Sequence, residues 1–235
     1  MLVKTTLGQE QTAPVLQALA VANATFARRF PGVAMVRQPV HTVYGGAHLY
    51  RPGAAAKLAD LARQHLAQYA PTHEDLARAM GFAGYTTGTA VPTAAQNHIA
   101  TTVFDRVRKK LVHEAVEDHR VDFEDGYGSR PDAEEDGHAV QAAESMAEGL
   151  STGTLPAQVG IRIKALTEEA KVRALRTLDI FITALLDAGG RLPSGFVVTL
   201  PKVTQAAQVT ALADCLALLE ARYGITVGTI KVELM

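Results

Sequence analysis

Three carboxylates fall within four consecutive positions in Val121-Asp122-Phe123-Glu124-Asp125-Gly126-Tyr127-Gly128. Apolar Val121 and Phe123 alternate with Asp122 and Glu124, the pattern of a strand that sends two acids to one side before a glycine-bearing turn. Carboxylates this close repel, and a cation, a proton or an Arg or Lys partner relieves them. A solvated acidic turn is the plainer alternative. A calcium loop is not indicated, because the alternating Asp/Asn pattern and the closing Glu are missing. Gly160-Ile161-Arg162-Ile163-Lys164-Ala165 repeats the alternation with cations. Arg162 and Lys164 are expected on the face opposite Ile161 and Ile163, where they pair with the acids or clamp a substrate carboxylate. A plain ion pair that stabilises the sheet is the competing explanation. In Leu200-Pro201-Lys202-Val203 the proline ends a strand and Lys202 emerges at its carboxyl end. Taken alone, a loop lysine of this kind is usually solvated.

The eight histidines invite a metal reading that their spacing does not support. His113-Glu114-Ala115-Val116-Glu117 lacks the second histidine of a zinc-protease helix. His113 and His119 are expected at the surface, and His41 is expected inside a first strand as a core histidine. No Walker loop, Gly-x-Ser-x-Gly elbow or Cys-x-x-Cys pair occurs. The single cysteine, Cys215, reads as a small core residue in a reducing compartment. No apolar run near the start suits a secretory signal, and no stretch reaches the roughly 20 apolar residues of a membrane span. A cytoplasmic location is expected. With 23 Lys and Arg against 24 Asp and Glu, net charge −1, no global field draws the chain to nucleic acid or an anionic membrane, although a local patch remains open.

Elements must now position these residues. The 235 residues, 48% hydrophobic and 20% charged, suit a globular chain of one large or two small domains. Before residue 118 helical stripes dominate: Val15, Leu19, Ala22 and Phe26; Leu58, Leu61, Leu66 and Tyr69; Ile99, Val103, Val107 and Leu111. Thr72-His73-Glu74-Asp75 has capping-box spacing ahead of a helix at Glu74–Met80. Val40 to Tyr44, closed by Gly45-Gly46, reads as a strand, and Gly81 to Pro92 as a loop. Beyond residue 118 strands at Arg120–Glu124, Val159–Leu166, Phe196–Leu200 and Thr229–Leu234 alternate with helices at Ala133–Gly149, Glu168–Ala188 and Gln205–Tyr223. They recur at roughly 35-residue intervals, the length of a βα unit. The expectation is an α/β protein with a parallel sheet. The fingerprint of a dinucleotide site is missing, which favours a (β/α) barrel of TIM type over an open sheet. Residues 1–37 form an N-terminal helical segment and 38–235 a partial barrel with a helical insertion at 51–118. Five strands are about three short of closure, or roughly 110 residues, so the chain is expected to be a truncated product or a fragment.

The order of these motifs resembles the citrate lyase β subunit, malyl-CoA lyase and aldolase superfamily, in an uncharacterised bacterial citrate-lyase-like branch. The matching segments are Val40 to Tyr50, Val121 to Gly126, Ile161 to Ala165 and Leu200 to Val203, spread over residues 38–235. The resemblance implies a magnesium-dependent lyase or aldolase that makes or breaks a carbon-carbon bond beside a carbonyl. Its implied substrate is a small oxo acid or an acyl-CoA thioester, and its implied assembly a homo-oligomer. By the same resemblance Glu124 and Asp125 match the acidic pair near the metal and its waters, Arg162 the arginine that binds the oxo-acid carboxylate, and Lys202 the lysine at the rim. The family's own metal-binding Glu and Asp would follow Met235, and Glu233 lies too early to be that ligand, so no primary Mg²⁺ ligand is expected within this chain. A non-catalytic binding or scaffold domain derived from the same barrel is the alternative.

Overall fold

A computed structural model of the protein describes residues 6–32, 37–86 and 91–235. The chain divides into two compact units, Met1–Gln38 and Pro39–Met235. The first holds α1 (Gln9–Arg29), none of whose residues is buried. The stripe read from Val15, Leu19 and Phe26 is therefore a helix with an exposed apolar face.

The second unit runs β1 (Val43–Gly46), a short 3-10 turn (Ala47–Leu49), α2 (Ala54–Tyr69), α3 (His73–Ala79), α4 (Ala94–His113), β2 (Asp118–Asp122) and α5 (Asp132–Thr152). It continues with β3 (Gln158–Arg162), α6 (Lys171–Gly189), β4 (Phe196–Leu200), α7 (Ala206–Arg222) and β5 (Lys231–Leu234). All four strand pairs are parallel and the order in the sheet is the order in the chain. Such a sheet needs a crossover between each pair of strands, and the helices supply it while covering one face. Val121, Ile161 and Val198 lie side by side across β2, β3 and β4 and are fully buried. Above them α6 presents Ala174, Leu178, Phe181, Ile182 and Leu185, all buried, at the three- and four-residue spacing of one helix face. Burying a side chain such as Phe181 contributes about 2–3 kcal/mol. Gly160 is required by this packing, because a Cβ there would lie 1.9 Å from the Val197 carbonyl oxygen.

The other face is polar. Arg120, Asp122, Arg162 and Thr199 alternate with the apolar set and are themselves buried. Thr72 and Asp75 form the expected capping box, with the Asp75 amide donating to Thr72 Oγ1 at 3.1 Å. The Gly81 to Pro92 loop is described up to Thr86, where it forms turns; positions 87–90 lie outside the described residues.

Strand boundaries depart from the sequence reading for local reasons. The Val40 amide donates to Glu117 Oε2 at 2.7 Å and the Thr42 hydroxyl to Asp118 Oδ2 at 3.0 Å, so these residues stand outside the ladder. β1 instead incorporates Gly45 and Gly46, partners of Val121 and Asp122. A side chain at Gly46 would press to 2.3 Å from the Gly126 carbonyl oxygen. His41 is consequently exposed and not a core strand residue. β2 closes at Asp122 and not Glu124, because the Asp122 carboxylate accepts the amides of Glu124 and Gly126 and turns the chain out of the sheet. Among the described residues no further strand pairs with the outer sides of β1 and β5. Among the described residues no helix is long and apolar enough to cross a membrane.

Candidate functional site

The charged side chains converge beyond the carboxyl ends of β2, β3 and β4, the end of a parallel sheet where the loops are free to carry chemistry. Asp122, 1% exposed, anchors the cluster with both oxygens. Arg162 Nε donates to Oδ1 at 2.8 Å and Nη2 to Oδ2 at 2.5 Å, while the Glu124 and Gly126 amides donate at 2.9 and 2.7 Å. Burial pushes the Asp122 pKa up, but the Arg162 and amide hydrogen bonds outweigh it and hold the carboxyl below its usual value. The guanidinium also lies over the Tyr44 ring, 4.7 Å from its centroid. Only Nη1 stays uncommitted to Asp122, at 3.7 Å from Glu124 Oε2 and 3.9 Å from Asp125 Oδ2.

Lys202 closes the cluster from β4. Its ammonium pairs with Glu124 Oε1 and, at 2.9 Å, with Asp125 Oδ1. These hydrogen bonds raise the Lys202 pKa and lower that of Asp125. Lys202 has φ +53°, a left-handed conformation that a side chain with a Cβ rarely adopts and that clusters at functional sites. Glu124 is largely buried, and its Oε2 accepts no hydrogen bond. A buried carboxylate oxygen without a donor is costly, and the cation Arg162 Nη1 lies 3.7 Å from it.

Glu124, Asp125, Arg162 and Lys202 thus lie together at this end of the sheet. Lys164 does not join them. β3 ends at Arg162, alternation ends with it, and Lys164 Nζ turns to the Phe123 carbonyl at 2.6 Å and to buried Glu135 of α5 at 3.0 Å. His119 corrects a second expectation. It is a strand residue, 4% exposed, with its ring edge-on to Tyr50, and burial followed by the nearby Arg120 charge lowers its pKa to about 4. His113 is exposed, as expected.

Two groups escaped the sequence reading. On the polar face Arg120 pairs with Asp118, its Nε donates to Thr199 Oγ1 at 3.2 Å, and Thr199 Oγ1 donates to Glu233 Oε2 at 2.5 Å. The Tyr44 hydroxyl reaches the same Glu233 oxygen at 3.3 Å. Counting back by twos from Asp122 would have placed Arg120 and Asp118 on its face. At the end of β1, His48 lies edge-on to Tyr127, whose hydroxyl is 2.9 Å from His138 Nδ1. No spacing in the sequence links residues so far apart.

Among the described residues no cluster of three or more His, Cys, Asp or Glu is arranged to hold a metal ion. Each acid of the site is already neutralised by Arg162 or Lys202, so these residues do not form the first coordination shell that magnesium needs. What they define is an α/β protein with a mixed-charge cluster at the carboxyl end of a five-stranded parallel sheet. Residues 19–235 match the model of a family described as a domain of unknown function, DUF6986, and the chain belongs to that family. No curated protein and no solved structure matches it.

Proposed function

We propose that the protein is a carbon-carbon lyase or aldolase acting on a small oxo acid or its acyl thioester. Its five strands are read as one side of a (β/α) barrel of TIM type. The observation that carries this reading is Glu124, whose buried Oε2 lacks a donor beside Lys202 and the Nη1 of Arg162, which is held only by the weak acceptor Met235 Sδ at 3.6 Å. For a 4-hydroxy-2-oxo acid, Arg162 Nη1 holds the carboxylate and Lys202 faces the carbonyl oxygen. Glu124 Oε2 accepts the proton of the C4 hydroxyl. The C3–C4 bond breaks, an aldehyde leaves, and the electron pair passes into an enolate whose oxygen faces the Lys202 ammonium. Return of the proton from Glu124 to C3 completes the oxo-acid product. Magnesium finds no ligand set among these residues, and none of these steps runs through it.

A second reading, a non-catalytic binding or scaffold domain, is favoured by the Asp122 pair, which occupies the fork with which Arg162 would grip a carboxylate. Pyruvate release from a panel of 4-hydroxy-2-oxo acids, with and without Mg²⁺, separates the two. The lyase reading expects turnover that Glu124→Gln abolishes at an unchanged melting temperature. No turnover, together with no calorimetric binding of pyruvate or oxaloacetate to folded protein, overturns it in favour of the scaffold.

A further inference from the structure

The inserted helices carry a second concavity, remote in sequence from the charged cluster. The C-terminal halves of α2 and α4 enclose a cavity of about 720 Å³, within the range of small-molecule sites. Its walls are apolar where Leu66, Ala67 and Phe104 line it, its cations are Arg63, Arg108 and Lys109, and one acid, Asp105, shares the lining. The spacing between the helices is built: Arg63 of α2 donates through Nη1 to the Leu111 carbonyl of α4 at 2.9 Å and pairs with Asp60 through Nη2. Arg108 lies over the Phe104 ring, 5.8 Å from its centroid. Among the described residues neither Arg108, Lys109 nor His113 has a carboxylate partner, whereas Lys110, one position on, is paired with Glu114 and Glu117. Two cations without a carboxylate partner, Arg108 and Lys109, therefore line the cavity from α4, beside the acid Asp105. α2, the opposite wall, buries none of its residues, so its apolar positions Leu66 and Ala67 remain available to a ligand.

We propose that this cavity binds a small amphipathic monoanion, of the chemical class of a medium-chain carboxylate. The apolar body lies along Leu66, Ala67 and Phe104, and the head group pairs with Arg108 and Lys109. A polyphosphate is disfavoured by the helix ends. α2 and α4 both terminate at this cavity, and the carbonyl oxygens of helix C-termini oppose any anion, so that a single negative charge offset by Arg108 and Lys109 is opposed less than the several charges of a polyphosphate.

Isothermal titration of the folded protein with decanoate tests the proposal. The expected result is saturable one-to-one binding that weakens by about tenfold or more in Arg108→Glu/Lys109→Glu. Ala67→Trp, which fills the cavity without changing its charge, should weaken it equally. Arg106→Glu, on the same helix but outside the lining, should leave affinity within about twofold. Decanol should bind more weakly than decanoate, and ATP should not compete. The proposal is overturned by absence of saturation, by equal affinity in the double variant, or by displacement of decanoate by ATP. Co-sedimentation with phosphatidylglycerol vesicles by a protein that does not titrate with decanoate would assign the patch to a membrane surface and also overturn it.

Discussion

Two of the three guanidinium nitrogens of Arg162 are occupied by Asp122, and this changes what a substitution there reports. Lysine keeps the charge but loses the planar fork, so Arg162→Lys leaves one buried acid under-satisfied as well as altering any carboxylate site. A loss of about 3 kcal/mol is expected, to be read by urea denaturation, and a stability within 0.5 kcal/mol of the parent would show the pair to be dispensable. His119 supplies a pH dependence. Its folded pKa, about 4, lies below the unfolded value near 6.5. Above pH 6.5 neither state binds the proton; between 6.5 and about 4 only the unfolded chain does. Stability should therefore fall with decreasing pH across that window, by on the order of 3 kcal/mol in total. His119→Phe should flatten the slope of unfolding free energy there, and an unchanged slope would assign it to other groups. Strand alternation made Glu124 and Arg162 legible as candidates, whereas Asp125 and Lys202 were joined to them through the family resemblance. His119 was not legible, because its burial depends on Tyr50 and β1, which arrive from distant sequence.

The elements themselves were readable from periodicity wherever one face is buried. Phe196–Leu200 is observed as read, since both neighbouring strands and the apolar layer fix it. The start of β1 and the end of β2 were not readable, because hydrogen bonds accepted by Glu117, Asp118 and Asp122 decide where the ladder stops. Within the sheet the least replaceable position is Gly160. Gly160→Ala sets a methyl against the Val197 carbonyl, and a loss of more than about 3 kcal/mol or failure to fold is expected. Gly137, inside α5, has nothing within 4 Å of an added Cβ. There alanine should stabilise by about 0.5–1 kcal/mol through helix propensity. Thermal melts of the two variants check the contrast, and similar melting temperatures would mean that the strands separate freely to admit a side chain.

Across the molecule, packing is uneven in a way that hydropathy alone did not reveal. The stripes read for α1 and α2 bury no residue, whereas α6, read only as a helix, buries seven. Periodicity locates a face; only the rest of the fold says what covers it. The regular βα spacing pointed to the parallel sheet, while the ionic character of its second face emerged only once Arg120, Thr199 and Glu233 were brought together. The exposed α2 has a further consequence in time. Its amides are held by local helical hydrogen bonds without a buried side chain to retain them, so they should exchange with deuterium through openings of that helix alone. Amides of α6 should exchange only when the whole unit unfolds. Mass spectrometry of peptides from 54–69 and 171–189 would then give two kinetic classes, the first insensitive to mild denaturant and the second accelerating with it. A molecule seated between α2 and α4 would slow the first class and leave the second untouched.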